Sequence, residues 1–272
     1  MRIVRFSYGD PDVAAGVGFA FGAVGGDAGA EEVAVINGHP FGEVTFSGLR
    51  LPLAGVRLLP PVLPSKVVAI GKNYADHARE MGGEPSAQPV LFLKPSTSVI
   101  GPGGAIVHPA LSQRVDFEGE LAVVIGRLCR EVPIERAHEV VLGYTCANDV
   151  TARDLQKADG QWARAKGFDT FCPIGPWIDT EVDASDLAIA TAVNGVVLQD
   201  SRTSLLLHDI AELITFVTAA MTLLPGDVIL TGTPAGVGPM VPGDEVAVTI
   251  EGIGTLTNTV IGTKGSQPRG SR

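Results

Sequence analysis

DFEGELAVVIG, residues 116–126, is an apolar strand sequence that begins with closely spaced acidic residues. Side chains at positions i and i+2 of a strand point to the same face of the sheet. The pattern therefore predicts that Glu118 and Glu120 project together. Phe117 and Leu121 then share the opposite face. Two adjacent like charges repel, so we expect a compensating group, for which a divalent cation is the natural choice.

A second apolar segment, residues 140–147, ends just before Asp149. Strand ends hold functional groups on a rigid support. We expect Asp149 to complete an all-oxygen site with Glu118 and Glu120, and such ligands favour Mg²⁺, Mn²⁺ or Ca²⁺ over zinc. Gly119 leaves room on the opposite face. Spacing alone leaves an alternative open, in which the two glutamates lie on a solvated strand face and Asp149 is unrelated.

The rest of the chain consists mostly of short apolar segments. With 34 Gly and 19 Pro among 272 residues, turns and short strands are favoured over a helical bundle. Predicted strands outnumber predicted helices and do not alternate regularly with them. This favours a β-rich α+β architecture over a βα barrel or a doubly wound sheet. The predicted strands are residues 33–36, 44–46, 67–70, 90–93, 117–125, 140–147, 228–231, 246–250 and 255–260.

Three segments carry helical signals. Residues 73–81 are followed by two glycines, which end helices well. Residues 152–158 form a second predicted helix, with Thr151 as its N-cap and Asp154 in the capping-box position. Residues 210–221 have apolar side chains at helical spacing, which predicts an amphipathic helix.

Proline and polar content predict the domain boundaries. Residues 58–65, LLPPVLPS, contain three prolines and are predicted to form a stiff linker without a regular strand ladder. Residues 1–62 are then a small N-terminal β-rich domain, and residues 63–263 form a second, larger domain that contains the acidic residues. The polar residues 264–272 are predicted to be a disordered tail.

Charge and apolar content exclude several classes of protein. The net charge is −10 and no Lys/Arg cluster occurs, so we expect no nucleic-acid partner. No apolar segment reaches the ~18–20 residues that span a bilayer, and the N-terminal residues lack the apolar run of a signal peptide. We therefore expect a cytoplasmic protein without membrane contact. The three widely spaced cysteines predict reduced, mostly buried thiols.

Six segments occur in the same order as in a known family and cover essentially residues 66–260. They are GKNYADHAREMG (71–82), LFLKPSTSV (91–99), DFEGELAVVIG (116–126), YTCANDVTARDLQ (144–156), AKGFDTFCPIGPW (165–177) and LTGTPAGVG (230–238). In these segments the chain resembles the fumarylacetoacetate hydrolase family. The resemblance implies that family's mixed β-sheet roll or sandwich and usually a homodimer. It also implies a Mg²⁺ or Mn²⁺ site whose ligands match Glu118, Glu120 and Asp149.

Candidate proton-transfer residues lie on the first predicted helix. His77 and Glu80 are three residues apart, so their side chains can touch. A neighbouring carboxylate raises the basicity of an imidazole and fixes its orientation. Without further context the two would be an ordinary exposed helix pair, but the resemblance implies that they activate water. It also implies that Lys166 lies beside the metal, where its charge stabilises a developing enolate.

Three further residues are candidates for binding the substrate. Arg153 and Gln156 are about one helical turn apart and could reach the same cavity. Arg153 could hold a carboxylate, or it could form a salt bridge with a helix neighbour. Thr233 lies in the loop TGTPAGVG, whose hydroxyl and backbone N–H groups suit an anionic end of the substrate.

The resemblance implies an enzyme for small anionic 2-oxo acids. The predicted reaction is hydrolysis of a C–C bond in a small 2,4-dioxo acid, similar to an acylpyruvate or fumarylacetoacetate, through a metal-stabilised enolate. The same site could instead serve a 2-hydroxyhepta-2,4-diene-1,7-dioate isomerase of the 5-carboxymethyl-2-hydroxymuconate type, or an oxaloacetate decarboxylase. A metal-binding scaffold without activity is the non-enzymatic alternative.

Overall fold

The structure is a computed structural model that describes residues 1–9 and 18–263. The predicted tail, residues 264–272, lies outside the described residues. Strands dominate the fold, which confirms the predicted β-rich α+β class. The strands are Arg2–Tyr8 (β1), Gly18–Gly25 (β2), Glu32–Ile36 (β3), Phe46–Pro52 (β4), Arg57–Leu59 (β5), Val67–Gly71 (β6), Val90–Lys94 (β7), Val99–Ile100 (β8), Ala105–His108 (β9), Val115–Phe117 (β10), Gly119–Ile125 (β11), Val141–Asn148 (β12), Thr151–Ala152 (β13), Cys172–Asp179 (β14), Ala188–Val193 (β15), Val196–Arg202 (β16), Val228–Leu230 (β17), Gly238–Met240 (β18), Glu245–Ile250 (β19) and Gly254–Gly262 (β20). The α-helices are Ala75–Glu80 (α1), Arg153–Asp159 (α2), Ala163–Lys166 (α3) and Ile210–Ala220 (α4).

One large mixed sheet forms the body of the described molecule. Its strands run in the order β4-β3-β2-β1-β14-β12-β11-β17-β6-β7, with β5 beside β1 and β8 beside β14. Strand β11 lies in the middle, antiparallel to both β12 and β17, and all of its residues are buried. A strand covered on both faces requires a continuous apolar sequence, which explains the run that follows Glu120.

The N-terminal strands extend this sheet. Strand β1 pairs with β14 at Arg2↔Asp179 and Ile3↔Ile178, so residues far apart in sequence share one sheet. Strand β5 pairs with β1 at Leu58 and Leu59. The prediction of an unpaired linker over residues 58–65 is therefore wrong at its first two positions, since the backbone there completes a ladder before the prolines begin.

A second sheet, β16-β15-β19-β20-β9, packs against the large one. The two sheets approach closely at Gly119, where an added Cβ would lie 2.0 Å from Thr191 Oγ1. Gly119 therefore leaves room as predicted, and Thr191 of β15 fills it. Cys146 lies in the core between the sheets, and all three cysteines are buried, which confirms the predicted burial of the thiols.

Two predicted helices have different outcomes. Helix α4 is confirmed as an amphipathic helix, and Asp209 and Glu212 form a capping box at its start. The cap predicted for α2 is wrong. Thr151 belongs to β13, where it pairs with Asp116, and its hydroxyl donates to the Asp149 carbonyl at 2.9 Å. The carboxylate of Asp154 accepts instead from Ser112 and Gln113.

None of the helices in residues 1–9 and 18–263 combines the length and apolar character needed to cross a membrane.

Candidate active site

Three carboxylates converge where β11 begins and β12 ends. These antiparallel strands pair at Gly119↔Asn148, and the Asp149 N–H donates to the Glu118 carbonyl at 2.8 Å. Glu118, Glu120 and Asp149 each offer an oxygen within 4.8 Å of the others. The three residues are only 4%, 1% and 1% exposed. The alternative of a solvated strand face is therefore wrong, because the three carboxylates are almost entirely buried.

Two buried cations compensate Glu118. Lys166 Nζ lies 2.7 Å from Glu118 Oε2 and 2.7 Å from Asp149 Oδ2. Arg153 Nη2 lies 2.6 Å from Glu118 Oε1. Burial alone would raise the pKa of Glu118, but the charges of Lys166 and Arg153 outweigh it and hold that pKa well below its ordinary value. Glu118 is therefore an ionised carboxylate.

Asp149 has a second cationic partner, Lys94. The Lys94 ammonium lies 2.5 Å from Asp149 Oδ1 and is completely buried. The family resemblance included this lysine without indicating a role for it. Burial would lower the pKa of Lys166, but the charges of Asp149 and Glu118 raise it above its ordinary value. Lys166 therefore carries a positive charge inside the site.

Glu120 differs from its two neighbours. It accepts a hydrogen bond from the Gly232 N–H at 2.6 Å. Within the part of the chain that the structure describes, no Lys, Arg or His nitrogen lies within ion-pair distance of it. Burial raises the pKa of Glu120, and the negative charges of Asp149 and Glu118 raise it further.

These donors fit a divalent cation. Among the described residues, no cation lies within ion-pair distance of the buried Glu120 carboxylate, and two other carboxylates face it at close range. Hard cations such as Mg²⁺ and Mn²⁺ prefer carboxylate oxygens. A bound cation would relieve the repulsion that raises the pKa of Glu120. Glu118, Glu120 and Asp149 are thus the residues that would hold it.

His77 and Glu80 form a hydrogen-bonded pair on α1. His77 Nδ1 lies 3.1 Å from Glu80 Oε2, and His77 is 5% exposed. The Gly236 N–H donates to Glu80 Oε1 at 3.1 Å and to Oε2 at 3.3 Å. The loop that contains Thr233 therefore fixes the carboxylate, and the carboxylate in turn fixes the imidazole. This leaves the other ring nitrogen of His77 available for proton transfer.

One cavity of about 210 Å³ connects these groups. Glu118, Glu120, His77 and Lys166 all line it. Its size suits a small molecule, since it is below the typical range of about 300–1,000 Å³ for larger ligands. The sequence reasoning missed six other lining residues, because nothing in their local pattern indicates that they share a cavity. They are Ile70, Gly71, Lys72, Met81, Lys157 and Trp162.

The three predicted substrate-binding residues line the same cavity, but their polar groups already have partners. Besides Glu118, Arg153 binds Asp116 through Nε at 2.9 Å and Gln156 Oε1 through Nη1 at 2.8 Å. The Thr233 hydroxyl donates to the Gly119 carbonyl at 2.9 Å and accepts from Gln199 at 2.8 Å. In this arrangement, Arg153, Gln156 and Thr233 hold the acidic centre together.

Family models match most of the chain. The model described as fumarylacetoacetate (FAA) hydrolase C-terminal matches residues 66–261. A second model, described as Rv2993c-like, N-terminal, matches residues 1–61.

Similar proteins include enzymes with different activities. A Mycobacterium smegmatis structure described as 5-carboxymethyl-2-hydroxymuconate delta-isomerase is 56% identical with a TM-score of 0.89, covering 96% of this chain and 100% of that one. The oxaloacetate tautomerase FAHD2A of Bos taurus is 43% identical, covering 81% of this chain and 77% of its own length. The maleylpyruvate hydrolase of Sphingobium sp. SYK-6, in complex with manganese(II) and pyruvate, is 33% identical with a TM-score of 0.77, covering 96% and 99%.

Proposed function

This chain belongs to the fumarylacetoacetate hydrolase family, and from that premise we propose that it hydrolyses a C–C bond in a small 2,4-dioxo acid with the help of a divalent cation. The observation that carries the proposal is the hydrogen-bonded pair of His77 and Glu80, because His77 lines the same cavity as Glu118 and Glu120 of the acidic centre. An oriented imidazole beside an electrophilic site is what water activation requires.

The acidic centre would bind the cation and, through it, the head of the substrate. When bound by Glu118, Glu120 and Asp149, a divalent cation supplies Lewis-acid polarisation of the carboxylate and 2-oxo oxygens. The manganese(II) and pyruvate in the related maleylpyruvate hydrolase support this assignment. The small cavity favours a head group of pyruvate size.

The chain's own residues then account for the proton transfers. His77 takes a proton from water through the ring nitrogen that Glu80 does not hold, and Glu80 stabilises the imidazolium. Hydroxide adds to the C4 carbonyl, and the C3–C4 bond breaks with its electron pair moving to the pyruvate fragment. The charged ammonium of Lys166 stabilises the resulting enolate. The His77 imidazolium then returns its proton to C3 of the enolate, which gives pyruvate and a carboxylic acid and restores the neutral imidazole.

Isomerisation is the second candidate function. The isomerase and the tautomerase are 56% and 43% identical to this chain, whereas the hydrolase is 33% identical. The same enolate chemistry without water attack would let His77 move a proton between carbon and oxygen. Decarboxylation of oxaloacetate would use the same enolate, and a scaffold would bind the metal with no turnover at all.

Turnover of acetylpyruvate, followed by ultraviolet absorbance with Mg²⁺ or Mn²⁺, tests the proposal. We expect cleavage to pyruvate and acetate that EDTA abolishes. His77→Ala should lower kcat by about 10²–10⁴-fold, the range for general acid–base catalysis, while the protein still binds Mn²⁺. His138→Ala is the matched control, since His138 is exposed and lies outside the cavity.

Each alternative predicts a different result. Unchanged cleavage in the His77 variant would reject the assigned role of the pair. Interconversion of keto and enol forms without cleavage would favour the isomerase or tautomerase. Release of CO₂ from oxaloacetate would favour the decarboxylase, and no turnover of any 2-oxo acid with metal restored would favour the scaffold.

A further inference from the structure

On strand β16 the apolar side chains are exposed and a polar one is buried. Val196, Val197 and Leu198 are 62%, 58% and 46% exposed, whereas the next residue, Gln199, is completely buried. Burial of an amide costs free energy unless its polar atoms form hydrogen bonds. Gln199 is therefore buried for the hydrogen bonds that it makes, and its partners indicate its role.

Both ends of the Gln199 amide are bound. Its Oε1 accepts from the Gly119 N–H at 2.9 Å, and its Nε2 donates to Thr233 Oγ1 and to the Pro234 carbonyl, both at 2.8 Å. A backbone N–H can only donate and a carbonyl oxygen can only accept, so the two ends of the amide cannot be exchanged. The partners therefore fix the orientation of the side chain.

These contacts close a ring of hydrogen bonds at Gly119. The Thr233 hydroxyl, which accepts from Gln199, donates to the Gly119 carbonyl at 2.9 Å. Strand β17 pairs with β11 only from Ala122 to Val124. Beyond the end of that ladder, two side chains bind the N–H and the C=O of Gly119 in place of a strand.

Gly119 separates two carboxylates of the acidic centre. Its N–H belongs to the peptide group that joins it to Glu118, and its C=O belongs to the peptide group that joins it to Glu120. Each peptide group is planar, so the ring fixes both planes and the directions in which the two glutamates leave the strand. Thr191 excludes a Cβ at this position, and the backbone freedom of glycine makes an external restraint necessary.

The loop of residues 231–236 is fixed by the same side chain. Near one end of the loop, the Gly232 N–H binds Glu120. At the other end Gly236 packs against β16, where an added Cβ would lie 2.1 Å from the Leu198 carbonyl oxygen. Gln199 binds the loop between these two points, so it joins the second sheet to both the loop and the start of β11.

We propose that Gln199 is a positioning residue of the metal-binding centre. From the second sheet it holds the Gly119 backbone and the loop of residues 231–236, so that Glu118 and Glu120 face one cation. The inference rests on the cation of the proposed function. It adds to the site a residue that does not line the cavity and acts only through the groups that it holds.

Mn²⁺ affinity tests the inference without depending on turnover. Gln199→Met keeps an unbranched side chain of similar size and removes the hydrogen bonds, and Gln199→Leu replaces it if that variant does not fold. The Kd for Mn²⁺, measured by calorimetry on the full chain, should rise by about 10–100-fold, the usual effect of losing a residue that orients metal ligands.

The other side chain of the ring provides a second test. Thr233→Val removes the hydroxyl and should also raise the Kd, whereas Thr233→Ser keeps the hydroxyl and should not. Gln199→Met combined with Thr233→Val should raise the Kd no further than the larger single effect, because either substitution opens the same ring. Multiplication of the two single effects would contradict a shared ring.

Asn258→Leu is the matched control. Asn258 is a buried amide of the same sheet, and it donates to the Gly101 and Gly104 carbonyls outside the cavity. The substitution removes hydrogen bonds of the same kind, so urea denaturation should show a comparable loss in the free energy of unfolding. The Kd for Mn²⁺ should nevertheless stay unchanged, which separates positioning from a general loss of structure.

The outcomes separate this inference from the proposed function. An unchanged Kd in the Gln199 variant, or an equal rise in Asn258→Leu, would overturn the role of Gln199 even if acylpyruvates are cleaved. A Kd that depends on Gln199 without any cleavage would support the inference and reject the hydrolytic reaction. Absence of Mn²⁺ binding by the wild type would overturn both.

Discussion

The two sides of the acidic centre differ in how the chain compensates negative charge. On one side, Glu118 is bound by Lys166 and Arg153, and these charges lower its pKa despite complete burial. On the other side, Glu120 has the Gly232 N–H and no cation within ion-pair distance in the described chain, and its pKa is raised. The two glutamates are two positions apart and almost equally buried.

This difference distinguishes two kinds of buried carboxylate. In one kind the protein itself compensates the negative charge, and in the other the charge is left for a bound ligand. A buried carboxylate whose charge is compensated by partners within the protein needs no further ligand. Asp227 is an example at the other end of β11, where its carbonyl accepts from the Ile125 N–H. Asp227 binds Ser65, Lys66 and the Leu224 N–H, and despite its burial these partners lower its pKa. Within the described residues, Glu120 has no comparable cationic partner, so a bound divalent cation would supply the missing positive charge.

Glu118→Gln should have the largest effect on stability. It leaves Lys166 and Arg153 buried without their shared carboxylate, and loss of one partner from a buried ion pair costs about 3–5 kcal/mol. Urea denaturation in EDTA measures the free energy of unfolding of the metal-free protein. Glu84→Gln, at an exposed position, is the control and should be neutral. A Glu118 variant as stable as this control would contradict the proposal that Glu118, unlike Glu120, is stabilised by its cationic partners.

Glu120→Gln should change stability in the opposite direction. The amide oxygen can still accept the Gly232 hydrogen bond, while the charge repelled by Asp149 and Glu118 is removed. We expect the free energy of unfolding of the metal-free protein at pH 7 to rise, because the substitution removes a buried charge that its two carboxylate neighbours repel. Destabilisation in the same urea assay would show that Glu120 is compensated after all.

The pH dependence of the free energy of unfolding of the metal-free protein should be a smaller effect than the changes caused by the Glu118 and Glu120 substitutions. The pKa of Glu120 is raised above its ordinary value of 4.5, so the folded state binds more protons than the unfolded state between these two pKa values. The stability from Glu120 is thus fully present below pH 4.5 and is lost as pH rises through the raised pKa. The slope is at most about 1.4 kcal/mol per pH unit.

Comparison of the wild type with Glu120→Gln isolates this dependence. The contribution of Glu118 has the opposite sign and is lost only as pH falls below its ordinary range, so measurements above pH 5 leave it constant. Urea denaturation from about pH 5 to pH 8, a window that brackets neutral conditions, should show a falling stability only when Glu120 is present. Identical pH profiles of the two proteins would contradict the raised pKa.

Local patterns were enough to predict part of the site. The alternating pattern around Glu118 and Glu120 predicted that both side chains lie on one face of a strand. The apolar segment before Asp149 predicted a strand that ends next to this residue. The helical spacing of His77 and Glu80 predicted their contact. These features depend on neighbours in sequence and on a family resemblance, and both are visible in the chain itself.

Long-range features could not be predicted in this way. Lys94 reaches Asp149 across 55 residues, and Gly232 reaches Glu120 across 112. The pairing of β1 with β14 joins residues that lie more than 170 positions apart, such as Arg2 and Asp179. Thr151 looked like a helix cap because its sequence neighbours suit one, but pairing with Asp116 places its backbone in a strand.

Direct titration with Mn²⁺, followed by calorimetry and electron paramagnetic resonance, tests the central claim that Glu118, Glu120 and Asp149 bind one divalent cation. We predict one ion per chain in the wild type and in His77→Ala, and no binding at the same concentrations in the folded Glu120→Gln variant. Equal Mn²⁺ binding by the wild type and Glu120→Gln would contradict the account, because the cation would then be held elsewhere.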